Sequence, residues 1–336
     1  MILVWAALAA HDTTARDQSY ALSQCAVVQL GAVPRLFVAL PSNELAAIDI
    51  RTGAALWRTT RAAFPLLARG NRILALLPPV SGKPGWLTAV LDAGSGAILS
   101  RLPPWGDGAG TVGEGMGTSV TLEGVSNGGR DYVAWRSRRQ QISGVPGRYP
   151  TYFDSGAAEV DLIRTTLIPL PQGIPHRALA IHVDQPAGYH TDAFEVEDHV
   201  AVAARVYVNP GFQLVLHRWR GQSQLPDVMV GGSPQYNDAI SVSQDRRHVL
   251  GIVQDPAALR RYRYNIAAFA TVTGQSVGRL ASDAYPATFV VWDRRLIYFV
   301  PDRVAIGDLA TARSLYQWTL RDLRYHGSYP PAARRP

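Results

Sequence analysis

The segment RLFVALPSNELAAIDIRTGAALWR, residues 35–58, contains three short apolar runs separated by two clusters of turn-forming residues. The apolar runs predict β-strands at 36–40, 45–48 and 54–57. The second cluster, Asp49 to Gly53, suits a tight turn, because an Asp side chain accepts hydrogen bonds from backbone N–H groups just beyond it. Gly53 completes the turn, since glycine adopts positive φ without steric cost. The segment therefore predicts a compact unit of three strands.

This unit recurs along the chain. Turns related to the one at Asp49 begin at positions 49, 92, 161, 217, 270 and 308. A second signal, a turn residue followed by an apolar run, precedes each of them, at positions 34, 71, 131, 198, 245 and 293. The paired signals define six repeats, each long enough for about four strands. We therefore predict an all-β chain of six four-stranded antiparallel sheets.

Two segments carry a family resemblance. The unit at residues 36–57 resembles the PQQ-like (quinoprotein-type) β-propeller repeat, and SQDRRHVLGIV, residues 243–253, resembles the strand–turn–strand of WD40- and TolB-like propellers. The resemblance implies four-stranded blades arranged radially around a channel, an architecture that protects sheet edges by repetition. Six repeats imply six blades. A seventh would require residues 1–20 and an insertion to supply another sheet.

The expected domain organisation is a single propeller over residues 22–324, with a segment 1–21 before it and an extended tail 325–336 after it. Residues 1–10, MILVWAALAA, are either a signal-peptide remnant or a strand that closes the ring. Long loops are expected at 106–117, 140–156 and 171–191. No run reaches the ~18 apolar residues of a membrane span.

The composition limits the possible partners. The chain has a formal net charge of +7, and Lys83 is its only lysine, so nearly all its positive charge is arginine. Such a surface suits an acidic protein, an anionic lipid surface or nucleic acid, although no nucleic-acid-binding module is recognisable. Cys25 is the only cysteine, which excludes an intrachain disulfide and a cysteine-based zinc or iron–sulfur site.

The enzymatic alternatives need motifs that are not found in this sequence. Quinoprotein dehydrogenases share this repeat, and the resemblance would imply adjacent cysteines and a Glu/Asn/Asp metal set; the chain lacks both motifs, so no cofactor is expected. Residues 108–113, GAGTVG, match G-x-G-x-x-G but lack the strand and helix that a dinucleotide site requires.

A polar cluster offers a possible metal site in a propeller channel. Its members are His182, Asp184, His190, Asp192, Glu195, Glu197, Asp198 and His199. Their spacing matches no known ligand motif, and His182 and His199 alternate with apolar residues as histidines of a sheet do. A metal-dependent hydrolase or lyase is therefore the alternative function, not the first.

Mixed arginine and tyrosine segments are the candidate partner-binding residues. They are Arg138, Arg139, Tyr152, Arg260, Arg261, Tyr262, Arg263 and Tyr264. Arginine and tyrosine are enriched at protein-binding hot spots, although a solvated arginine face beside packed tyrosines is the simpler interpretation. We expect a non-catalytic scaffold or accessory subunit that binds protein partners in a larger complex. That complex is expected to be membrane-associated or periplasmic, and the chain exported or otherwise cytoplasmic.

Overall fold

The structure is a computed structural model that describes residues 18–78, 86–105, 117–127, 130–140, 151–170, 173–174, 189–209, 211–233, 239–255 and 263–321. Within these ranges the regular elements are β-strands in six antiparallel sheets. The same ranges contain no helix, and so none that could cross a membrane. The chain forms two compact units, residues 1–175 with 320–336, and residues 176–319.

The first unit holds three sheets. The first sheet contains β1 (Gln18–Ser23), β2 (Ala26–Leu30), β3 (Arg35–Ala39), β4 (Leu45–Asp49) and β5 (Ala55–Thr59). The second contains β6 (Phe64–Arg69), β7 (Arg72–Leu76), β8 (Thr88–Asp92) and β9 (Ile98–Arg101). The third contains β10 (Gly117–Asn127), β11 (Arg130–Gln140), β12 (Thr151–Asp161) and β13 (Thr166–Leu170).

The second unit also holds three sheets. The fourth sheet contains β14 (Tyr189–His190), β15 (Phe194–Val196), β16 (His199–Val208), β17 (Gly211–Arg220) and β18 (Ser223–Ser233). The fifth contains β19 (Ala239–Val242), β20 (His248–Gln254), β21 (Tyr264–Ala270) and β22 (Ser276–Ser282). The sixth contains β23 (Thr288–Trp292), β24 (Arg295–Val300), β25 (Arg303–Asp308) and β26 (Arg313–Thr319).

Strands that follow one another in the chain are paired side by side in each sheet, except that β14 and β15 both pair with β16. This is the construction of a propeller blade, and the number of sheets is the number of repeats that the sequence predicts. The predicted fold class, all-β with six sheets of the four-stranded blade type, is therefore confirmed. The first and fourth sheets each carry one additional short strand.

Two sequence predictions were wrong in detail. His217 does not start a turn: it lies inside β17, and the chain reverses four residues later, at Gly221, which has φ of 57°. Residues 151–156 do not belong to a loop, because they form the first half of β12 and pair with β11. The β-branched and aromatic residues of Thr151-Tyr152-Phe153 favour a strand there.

Several other predictions concern parts of the chain outside the described residues. They are the apolar segment 1–10, the glycine-rich loop at 106–116, the insertion at 141–150, most of the insertion at 171–191 and the tail 325–336. The expected domain boundary between residues 21 and 22 falls within β1.

The two turn signals of a repeat are hydrogen-bonded to each other. In four of the six repeats, the residue at the Thr-Gly-type turn donates its backbone N–H to the carbonyl of the preceding hairpin turn. The pairs are Ile50 to Pro34 (3.3 Å), Ala93 to Asn71 (3.0 Å), Thr271 to Arg247 (2.8 Å) and Leu309 to Arg294 (2.8 Å). All four donor residues are buried, so these bonds are shielded from water.

The carbonyl oxygens of four Thr-Gly-type turns, three of them among those above, also accept hydrogen bonds from the preceding sheet. In each pair the first group donates to the backbone carbonyl of the second residue. The pairs are Trp57 Nε1 to Ala93 (2.9 Å), Arg72 Nη1 to Leu162 (2.9 Å), Arg218 Nη1 to Val272 (2.8 Å) and the Arg279 backbone N–H to Leu309 (3.1 Å). Each pair lies within one unit. The turn therefore sets the spacing between neighbouring sheets as well as the register of its own hairpin.

Facing sheets share apolar cores. Phe37 of the first sheet and Ile73 and Leu91 of the second belong to one buried cluster. In the second unit, Leu250 of the fifth sheet and Phe289 of the sixth belong to another. These buried faces supply most of the hydrophobic stabilisation of each unit.

The turn at Gly96 provides a test of this packing. Gly96 has φ of 72°, and a Cβ there would lie 2.6 Å from the indole ring of Trp57. Gly70 has a similar φ of 56° but open space around its Cβ position. Gly70→Ala should cost about 1 kcal/mol of backbone strain, and Gly96→Ala about 3 kcal/mol because the indole must also move. Urea unfolding measures both, and equal losses would contradict the packing role of Trp57.

The Asp92 carboxylate gives the turn a pH dependence. The hydroxyl of Ser95 donates to it, and the backbone N–H groups of Ser95 (2.7 Å) and Gly94 (3.0 Å) add to that effect; together they lower the pKa of Asp92 despite partial burial. The stabilisation is therefore complete above the unfolded pKa of ~4 and disappears as the pH falls through the lower folded pKa. Asp92→Asn should be less stable than wild type near pH ~6, and the difference should shrink below pH ~4. A difference that is constant over this range in thermal unfolding would refute the assignment.

Candidate functional site

The candidate partner-binding residues of the third sheet lie on two paired strands. Arg138 and Arg139 are in β11 and Tyr152 is in β12. Arg139 and Tyr152 are directly opposite each other in the register. The structure thus brings together, through backbone pairing, two residues that are thirteen positions apart in the sequence.

The second candidate group is only partly described. Arg260, Arg261 and Tyr262 lie outside the described residues. Arg263 is exposed, whereas Tyr264 is half-buried, as the strand alternation predicts. The ring of Tyr264 meets Tyr285 edge to face, with 5.9 Å between the ring centroids. Tyr264 therefore contributes to packing, and its neighbour Arg263 contributes charge at the surface.

The described members of the acidic and histidine cluster lie in the hairpin of β15 and β16 and just before it. Of its members, His182 and Asp184 lie outside the described residues. His199 is buried, with its Nδ1 2.7 Å from the Asp198 carboxylate, and Asp198 also accepts a bond of 2.7 Å from Arg220. That hydrogen bond from Arg220 lowers the pKa of Asp198. In the described part of the chain no three His, Cys, Asp or Glu side chains lie close enough to hold a metal ion.

A cleft in the second unit is the site with the best-defined geometry. It lies between β18, the last strand of the fourth sheet, and strands β20 to β22 of the fifth. A β-bulge in β18 makes Val230 an extra residue, since Leu214 pairs with Gly231 and Val215 pairs with Met229. The bulge directs Val230 into the interface, where it is buried.

Gly251 permits the close approach of these two strands. A Cβ on Gly251 would lie 2.1 Å from the carbonyl oxygen of Val230, so only glycine fits at this position of β20. β18 therefore lies directly against β20, and the outer strands of the fifth sheet extend past it. The cleft is the space left above those outer strands.

The cleft has a volume of about 1050 Å³. Its floor contains small side chains, Ala267 of β21 and Ala281 of β22, beside Gly251. Its sides contain larger apolar groups, Phe212 and Met229 among them. A cleft of this size with mostly apolar walls is at the upper end of the range for ligand sites.

Strand alternation explains why the floor is open. In β21, Ile266 and Ala268 face the apolar core and are 1% and 0% exposed. Asn265, Ala267 and Phe269 point to the opposite side and line the cleft. Because the central residue of that side is an alanine, the sheet surface is left with a depression.

A few polar groups converge on this apolar surface. They are the primary amides of Asn209, Gln213 and Asn265 and the guanidinium of Arg279. Among the described residues none of these four side chains has a hydrogen-bond or ion-pair partner. A primary amide both donates and accepts, as a peptide group does, so the cleft offers partners for a polypeptide backbone and one positive charge.

Reasoning from the sequence did not predict this cleft. Its lining comes from segments that are far apart, between Val208 and Ala312, and most of its members are small or apolar. The one local signal is VMVGGS, residues 228–233, which is an apolar strand that ends in two glycines. Glycine in a strand often marks a close approach of another backbone.

Comparison with known proteins yields structural similarity only. No protein-family model and no curated protein matches the sequence. Similar solved structures include apo AztD from Citrobacter koseri, 11% identical over 85% of this chain and 94% of that chain, with a TM-score of 0.33. Hsv2 from Kluyveromyces lactis is 10% identical over 85% of this chain and 95% of that chain, with a TM-score of 0.37.

A quinohemoprotein alcohol dehydrogenase from Comamonas testosteroni is also similar. It is 9% identical over 90% of this chain and 68% of that chain, with a TM-score of 0.30. Likenesses this distant leave the function to be inferred from the chain's own residues.

Two neighbouring alanines test the position of the cleft. Ala267→Leu places a larger side chain in the cleft and should change the free energy of unfolding by less than about 0.5 kcal/mol. Ala268→Leu places the same side chain in the filled core and should cost about 1–3 kcal/mol. Urea unfolding of both variants measures the difference. A large loss for Ala267→Leu would show that the space is not available.

Proposed function

We propose that this protein is a non-catalytic β-propeller scaffold or accessory subunit that binds a segment of a partner protein in the cleft beside β18. The observation that supports the proposal is a large, mostly apolar cleft whose amides and guanidinium have no side-chain partner in the part of the chain that the structure describes. Protein-binding sites combine an apolar centre with a few directed polar groups in this way.

Exposed apolar side chains at the mouth of the cleft support the same proposal. Met229 is 51% exposed and Val208 is 43% exposed, and both line the cleft. Tyr207, next to Val208, is 60% exposed and contacts the Phe212 ring edge to face, with 5.4 Å between the centroids. Grouped exposure of this kind marks interaction surfaces, whereas single exposed apolar residues are ordinary.

The sheets around the cleft provide rigid support. The strands of the fifth sheet that form its floor have their opposite face in a filled apolar core, and a second apolar cluster borders the cleft between the fourth and fifth sheets. A preformed site of this kind loses little conformational entropy on binding. The scaffold role follows: the protein would present a fixed surface to one partner inside a larger, membrane-associated or periplasmic assembly.

A comparison of two surface variants tests the proposal. Met229→Asp puts a charge at the mouth of the cleft. Leu99→Asp also replaces an apolar side chain with a charged one, on β9, and Leu99 is 51% exposed, as Met229 is. Tagged wild-type protein isolated gently from its native cells should belong to a particle much larger than the chain's own 36.5 kDa. Met229→Asp should release the protein from that particle, because a buried unpaired charge opposes association.

The control variant Leu99→Asp should remain in the large particle. Particle mass is measured by light scattering after size-exclusion chromatography, and the partners are identified by mass spectrometry. A wild-type particle near 36.5 kDa would overturn the proposal. So would a Met229→Asp particle as heavy as that of wild type.

A further inference from the structure

We propose that the cleft takes its partner as an added β-strand that pairs with the free edge of β18 and carries a carboxylate for Arg279. This inference rests on the proposed function, because it assumes that the cleft binds a protein segment. Beyond the proposed function, it specifies the way in which the segment is bound and the charge that the segment carries. Adding a strand to an open sheet edge is a recurrent way to bind peptides.

The second half of β18 has an edge without charged residues or proline. β18 ends the pairing order of the fourth sheet, so one side of its backbone has no strand partner among the described residues. Proteins protect such edges with charged residues or proline. The last strand of every sheet carries such a residue, and in β18 these are Pro226 and Asp227 in the first half of the strand. Residues 228–233 of β18, VMVGGS, contain neither a charge nor a proline.

The unprotected edge lies beside free space. Residues 229–232 of β18 line the cleft, and the floor next to them is the outward face of β21 and β22. Sheets packed face to face are about 10 Å apart, and paired strands are about 4.8 Å apart. A strand placed alongside β18 would thus lie over the small residues Ala267 and Ala281, which leave room for its inward side chains.

Arg279 specifies the charge of the added strand. It is opposite Ala267 in the β21–β22 register, is exposed, and has no ion-pair partner among the described residues. A guanidinium binds a carboxylate through two parallel hydrogen bonds. The net charge of +7 also favours the approach of an acidic segment. The expected occupant is therefore an extended peptide that alternates apolar and polar residues and includes an acidic residue on its inward side.

A peptide selection tests this inference. A phage-displayed library of random peptides is selected on the intact immobilised protein, and affinities of the enriched peptides are measured by fluorescence anisotropy. The enriched peptides should share an acidic residue within an alternating pattern. Replacing that residue with Lys should weaken binding to wild type about fivefold.

Charge reversal separates a specific contact from general attraction. Arg279→Glu should reverse the preference and bind the Lys form of the peptide better than the acidic form. The matched control, Arg313→Glu, changes the net charge equally on the edge strand β26 and should keep the wild-type preference. An unchanged preference in Arg279→Glu would overturn the contact.

Backbone methylation tests the strand addition. N-methylation of alternate peptide groups removes the N–H donors that pair with a sheet edge, and one of the two methylated series should lose binding more than tenfold. A peptide binds in the cleft if its affinity for the Met229→Asp variant is lower than for wild type. If such peptides tolerate methylation in both series, this inference is overturned and the proposed function is left intact.

Two further outcomes would also count against the inference. If no enriched peptide is sensitive to Met229→Asp, both the inference and the proposed function fail. If sedimentation shows that the wild-type chain dimerises and that Met229→Asp makes it monomeric, the occupant of the edge is a second copy, and an acidic partner segment is excluded.

Discussion

The structure depends on one buried peptide group at the second turn of a repeat, seen in the second, fifth and sixth sheets. Its N–H bonds to the first hairpin of its own sheet, as Ala93 does to Asn71, and the carbonyl at or beside it accepts a bond from the preceding sheet, as Ala93 does from Trp57. One turn is therefore fixed to two sheets at once. Because these groups are buried, losing one bond would leave an unsatisfied polar group, at a cost of about 1–3 kcal/mol.

The cleft is a local departure from this regular packing. Between the fourth and fifth sheets, the bulge at Val230 and the missing side chain at Gly251 bring β18 and β20 close together. Small residues beyond that contact leave the outer face of the fifth sheet uncovered. The same interface therefore holds the two sheets together and exposes an open strand edge beside an apolar surface, a combination that stable proteins usually avoid unless it is used.

The fold was predicted from local rules for turns and strands. Single residues show where these rules succeed and where they fail. Asp92 and Gly96 predict their turn correctly, because the carboxylate and the positive φ act within five residues. The turn predicted at His217 was wrong: the residues around it resemble a turn signal, but β17 continues through them to Arg220. The pairing of Arg139 with Tyr152 and the contact of Tyr264 with Tyr285 depend on register and packing, which no local pattern contains.

The sequence by itself determined the all-β class, the six repeats and the position of most turns, because each depends on alternation, turn chemistry and glycine placement over a few residues. It also established the basic charge and the single cysteine, Cys25, as a matter of composition. Only the tertiary structure decided where open space lies. The cleft requires Val230, Gly251 and Ala267 to meet from three strands, and a local pattern such as VMVGGS does not specify which residues meet over such distances in the sequence.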